Sequence, residues 1–137
     1  MKTKIIIATI LLLLTIGVVA ATTVDDFKVP NGYESKGNGA YLSKNPGEGI
    51  LILEYNTENV NDFIDNDMVK IQKGSDNIMT YVDSELSQHG AMEVFEVDGA
   101  KFIVLFWAGD NVGASDTELE AGLSNFNKLN NIEPIAV

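Results

Sequence analysis

The sequence predicts an α+β fold: an antiparallel β-sheet packed with two amphipathic helices, preceded by an N-terminal signal or anchor helix. Three observations carry this expectation. Residues 91–97 and 100–107 are apolar runs joined by Asp98-Gly99, a pair that tolerates the positive φ angles of a type I′ hairpin turn. Over residues 59–73 the period becomes helical, with Val60, Phe63, Ile64, Met68 and Ile71 on one face and Asp62, Asp65, Asp67 and Gln72 on the other. At the start, Lys2 and Lys4 precede a run from Ile5 to Ala21 whose only polar side chains are Thr9 and Thr15.

That opening run matches a secretory signal peptide. As a helix at about 1.5 Å per residue it reaches roughly 25 Å, short of the roughly 30 Å hydrocarbon core. Val18 and Ala20, or Val19 and Ala21, supply the small residues that a signal peptidase requires, so cleavage after Ala20 or Ala21 is expected to release the chain. An uncleaved segment would tether it instead. The sequence holds no cysteine, which excludes thioether lipidation. The expected location is secreted, or on the extracytoplasmic face of the cell membrane, with membrane contact only through residues 1–21. Residues 22–137 are expected to form a single α+β domain.

Charge narrows the partners. The 137-residue chain has a formal net charge of −11, and after Ala21 seven lysines stand against all 20 acidic side chains, a net −13. Such a field repels nucleic acid and disfavours anionic membranes and glycans, while favouring cations and basic partners. Arginine is absent, which removes the best bidentate ligand for phosphate. Without disulfides, stability must come from packing alone.

The elements follow in order. Thr22 to Asp26 form a polar leader, and Phe27-Lys28-Val29-Pro30 reads as an extended opening strand closed by Asn31-Gly32. Residues 33–35 and 39–43 form a hairpin around Lys36-Gly37-Asn38. After the turn Asn45-Pro46-Gly47-Glu48-Gly49, the run Ile50-Leu51-Ile52-Leu53-Glu54-Tyr55 suits a strand buried on both faces. The helix expected over 59–73 ends at Gly74, a left-handed cap. Residues 78–82 read as a strand, with a helical extension as the alternative, and Ser87-Gln88-His89-Gly90 as a turn. In the long hairpin Val97 is expected to face Ala100, Glu96 to face Lys101 and Phe95 to face Phe102, with the second strand central in the sheet. Ser115-Asp116-Thr117-Glu118 matches a capping box that opens a helix over 117–130, with Leu119, Leu123 and Phe126 inward. Residues 132–137 close the chain as an extended edge segment, with Pro134 unable to donate to a ladder.

Three stretches carry a resemblance: Phe27-Lys28-Val29-Pro30-Asn31-Gly32-Tyr33, Val97-Asp98-Gly99-Ala100-Lys101-Phe102-Ile103-Val104, and Phe126-Asn127-Lys128-Leu129-Asn130-Asn131-Ile132-Glu133-Pro134-Ile135. Together they resemble short exported proteins of unknown function from methanogenic archaea. The opening segment, antiparallel sheet and terminal helix also resemble PsbP/Mog1-like α+β domains. The resemblance implies that fold and no site residues, since no functional motif of those proteins is present.

Candidate chemistry is sparse. His89 is the only histidine. A hydrolytic triad would pair it with Ser84 or Ser87 and Asp83, but adjacent loop residues rarely meet in triad geometry and the G-x-S-x-G elbow is missing. Ordinary zinc or copper sites lack ligands. Oxygen donors for calcium occur in Asp110-Asn111-Val112-Gly113-Ala114-Ser115-Asp116 and in Asp62, Asp65 and Asp67, but neither group matches an EF-hand, and capping and solvation account for both. The loop over 108–115 with Trp107 and Tyr81 forms either a pocket mouth or, as aromatics in a hairpin more often do, core.

The expected function is therefore a non-catalytic extracytoplasmic module, with no cofactor and no assigned catalytic residue, that binds a protein or envelope component. The rival is a small-ligand carrier or enzyme whose site is assembled from sequence-distant residues. A deep polar pocket with a perturbed carboxylate would favour the rival.

Overall fold

The computed structural model describes residues 22–56, 69–73 and 77–136. Its strands are β1 (Tyr33–Gly37), β2 (Ala40–Ser43), β3 (Glu48–Glu54), β4 (Val69–Lys73), β5 (Met79–Asp83), β6 (Gln88–Val97) and β7 (Ala100–Gly109). One helix follows, α1 (Asp116–Asn130). The strands pair antiparallel in one sheet ordered β1-β2-β3-β7-β6-β5-β4, which places β7 at the centre.

Local chemistry sets the hairpins. Asp98 (φ 52°) and Gly99 (φ 84°) both take positive φ, and the register Val97↔Ala100, Glu96↔Lys101, Phe95↔Phe102 follows as expected. The first hairpin turns at Asn38 (φ 55°) and Gly39 (φ 80°), one residue later than the sequence suggested. Asn and Gly are the pair a two-residue turn prefers, so the turn settles there.

The side of the sheet that carries α1 holds the main core. Ile50, Ile52, Phe95, Phe102, Val104 and Phe106 meet Leu119, Leu123 and Phe126, all buried. Gly122 brings α1 close, since any side chain there would strike the Phe106 ring. The opposite face carries a smaller cluster of Tyr81, Met92 and Leu105, with Leu51, Met79 and Trp107 half-buried against it. The capping box forms: Ser115 Oγ accepts from Glu118 N–H at 3.2 Å, and Glu118 Oε1 accepts from Ser115 N–H at 2.9 Å.

Several expectations need correction. The last third of the predicted helix over 59–73 is strand β4, paired with β5 from Val69↔Asp83 to Lys73↔Met79. Val69-Lys70-Ile71-Gln72-Lys73 alternates apolar and polar, and backbone pairing with β5 outweighs a helical period. Residues 59–68, the rest of that helix, lie outside the described residues, as do residues 1–21 and the signal or anchor helix expected there. One helix is therefore described, not two.

Phe27 to Pro30 join no strand; the segment crosses the α1 side of the sheet instead. Phe27 stands edge-on to Phe95 and Phe102, with centroids 5.1 and 5.2 Å away. The C-terminal segment adds a single bridge, Ile135 to Val94, on the stretch of β6 that β5 leaves unpaired beyond Met92. Among the described residues no helix is long and apolar enough to cross a membrane.

Candidate functional site

The site is built where three backbone segments converge: the leader, the β6–β7 turn and the end of α1. Hydrogen bonds hold the leader. Asp25 Oδ1 accepts from Gly39 N–H at 2.9 Å, and Asp26 Oδ2 accepts from Thr23 N–H at 2.6 Å. The end of α1 is closed by Asn131 in the left-handed region (φ 54°), and Ile132 N–H donates back to Asn127 O at 3.0 Å. Ile135 N–H then donates to Val94 O at 2.8 Å, fixing the chain beyond α1 against β6.

Between these segments lies a cleft of about 980 Å³. Four exposed carboxylates border it, Asp26, Glu96, Asp98 and Glu133. Half-buried Phe27, Val97, Ile132 and Ile135 supply its apolar lining, and Asn130 and Asn131 add amides. No lysine is among its lining residues. Glu96 faces Lys101 in register, yet the Lys101 ammonium lies 5.7 Å from the centroid of the Tyr55 ring and forms no ion pair with Glu96. Four negative charges thus border one concavity, where field lines from like charges reinforce each other.

A second polar feature is buried below α1. Glu93 is fully buried on β6, between Ala91 and Phe95 on the core side. Asn127 Nδ2 donates to its Oε1 at 3.0 Å. Burial pushes the carboxyl up to about 7, opposed by the Asn127 hydrogen bond. Glu93 does not line the cleft.

The residues singled out in the sequence go elsewhere. His89 is not in a turn: it belongs to β6, pairs with Val82 and Ala108, and is largely covered, with 17% of its side chain exposed. Its Nε2 donates to Ala114 O at 2.6 Å and its Nδ1 lies 3.3 Å from Asp110 Oδ1, so the ring straps the loop ahead of α1 to the sheet. Asp83 pairs with Gln88, one position along, and so lies on the opposite face from His89. Its Oδ1 accepts from Glu85 and Leu86 N–H groups, both at 3.0 Å. The sheet separates the two members of the supposed triad.

Two oxygen donors of the 110–116 loop are engaged likewise, Asp110 beside His89 and Ser115 in the helix cap. Among the described residues no group of three acidic or histidine side chains is gathered to hold a metal. Asp62, Asp65 and Asp67 lie outside the described residues. Tyr81 is core, and burial followed by the charge of Asp83 raises its phenol well above the ordinary range.

Sequence reasoning missed the cleft because its four carboxylates span residues 26 to 133. It also passed over Glu93, although a lone acid alternating with Ala91 and Phe95 on a core-facing register was a legible signal. No family model, curated protein or solved structure matches this chain.

Proposed function

We propose that this chain is a non-catalytic binding module that works outside the cytoplasm and takes a basic segment of a protein or envelope component in the cleft. The observation that carries this reading is the cleft itself: four carboxylates around an apolar lining, with no lysine in it. A lysine-bearing segment suits that arrangement, because its methylene stems cover apolar surface while its ammonium groups stay at the polar edge. The signal-like residues 1–21 support an extracytoplasmic setting.

The test is calorimetric titration of the protein with a trilysine peptide at low and moderate salt. Neutralising the site with D26N, E96Q, D98N and E133Q together should abolish binding. A control that removes the same charge elsewhere, E34Q, E48Q, E85Q and E120Q, should retain most of it. Equal loss in both variants would reduce the effect to net charge and sink the proposal.

A further inference from the structure

Glu93 and Asn127 leave an imbalance that one proton resolves. Asn127 Nδ2 donates to Glu93 Oε1, while the other oxygens of the same two side chains, Glu93 Oε2 and Asn127 Oδ1, have no partner among the described residues. Both are buried, and both only accept if the carboxyl is ionised. Two acceptors facing an apolar core without a donor are costly.

We propose that Glu93 is carried as the neutral acid, its Oε2–H donating to Asn127 Oδ1, so that the two side chains close a doubly hydrogen-bonded ring that clamps α1 to β6. The proton comes from solvent and returns to it. With the proton bound, all four polar groups are paired. Without it, a buried anion keeps one hydrogen bond and α1 loses half of the clamp.

The surroundings supply no countercharge. Its register partner on β7 is Val104, and the core on this side of the sheet also holds Ile78, just ahead of β5, and Leu123, one turn before Asn127 on α1, all buried apolar groups. The charged groups on these elements are His89 further back on β6, engaged with Ala114 and Asp110; Glu96 on β6 and Lys101 on β7, both exposed; Asp83 on β5, on the opposite face; and Asp116, Glu118, Glu120 and Lys128 on α1. Glu133 follows α1 and is exposed. The causes that act on Glu93 are burial first and the Asn127 bond second, and the raised pKa places proton release near neutrality. The clamp is independent of the basic-segment reading of the cleft.

The deciding measurement is the carboxyl ¹³C titration of Glu93 in the wild-type protein, paired with hydrogen exchange of the α1 amides. A carboxyl that titrates near neutrality is expected. Protection of the amides at 126–130, corrected for intrinsic exchange, should fall with rising pH by up to about tenfold for each step of one in pH between about 4.5 and that midpoint, and level off on either side. E93Q, which keeps a neutral amide pair, should hold its protection flat across the same range. N127L should lower protection in acid to the level wild type shows in alkali. An ordinary carboxylate titration, or N127L as protected as wild type in acid, would overturn the clamp. The wild-type titration stands even if a variant does not fold.

Discussion

Asn130 holds the backbone of Lys28 by two hydrogen bonds: its Oδ1 accepts from Lys28 N–H at 2.8 Å, and its Nδ2 donates to Lys28 O at 2.8 Å. The same Nδ2 lies 2.9 Å from Phe126 O. A side-chain amide thus substitutes for a neighbouring strand, tying the leader to the last turn of α1 and forming one wall of the cleft. Asn130→Ala should lower stability by about 1–2 kcal/mol, as expected for losing two exposed hydrogen bonds to Lys28 and the part-buried one to Phe126 O. Urea unfolding measures that loss, and trilysine affinity should fall with it because the leader is released.

Two glycines allow backbone and side-chain effects to be separated. A methyl at Gly49 would sit 2.6 Å from Trp107 Cζ2, whereas one at Gly99 meets nothing within 4 Å. Gly49→Ala should therefore displace the indole and cost about 1–3 kcal/mol through overpacking. A red shift of Trp107 emission is the accompanying signature. Gly99→Ala should cost about 1 kcal/mol from its φ of 84° and leave the emission unchanged.

Phe126 joins the helix, the leader and the sheet. It is fully buried and meets Phe27, Phe95 and Phe106 with centroids 6.1, 5.9 and 6.4 Å away. Phe126→Ala should destabilise by about 3–5 kcal/mol, measured by urea unfolding. If the loss stayed under about 1 kcal/mol, the aromatic cluster would not be the organising core described above.

Stability should fall as pH rises through the mildly acidic range. Glu93 has a folded pKa of about 7 against an ordinary value of 4.5, so the unfolded chain releases this proton first. The contribution is full below about 4.5, is lost progressively up to about 7, and is constant above; it totals about 3 kcal/mol. The difference between wild-type and E93Q urea midpoints across that range isolates it from general charge repulsion. A difference independent of pH would contradict the assignment.

Much of the fold was legible where short-range chemistry is decisive. Asp98-Gly99 sets its own register, Ser115 and Glu118 set the start of α1, and Leu119, Leu123 and Phe126 fall on one side of it. At residues 69–73 the sequence supports both a helical and an alternating period, and the partner strand decides between them. His89 shows the same limit: within Ser87-Gln88-His89-Gly90 it reads as a turn, yet β5 and β7 enclose it on both sides.

By itself the sequence determined the hairpin at Asp98-Gly99, the capped helix with its buried stripe, the acidic charge and the absence of disulfides. These depend on φ preferences, local hydrogen bonds and composition, all of which act over a few residues. Only the tertiary structure decided that β4 is strand, that Asp26, Glu96, Asp98 and Glu133 share a cleft, and that Glu93 and Asn127 meet under α1. Contacts between residues far apart in the chain arise from how layers pack, and no local pattern records that distance.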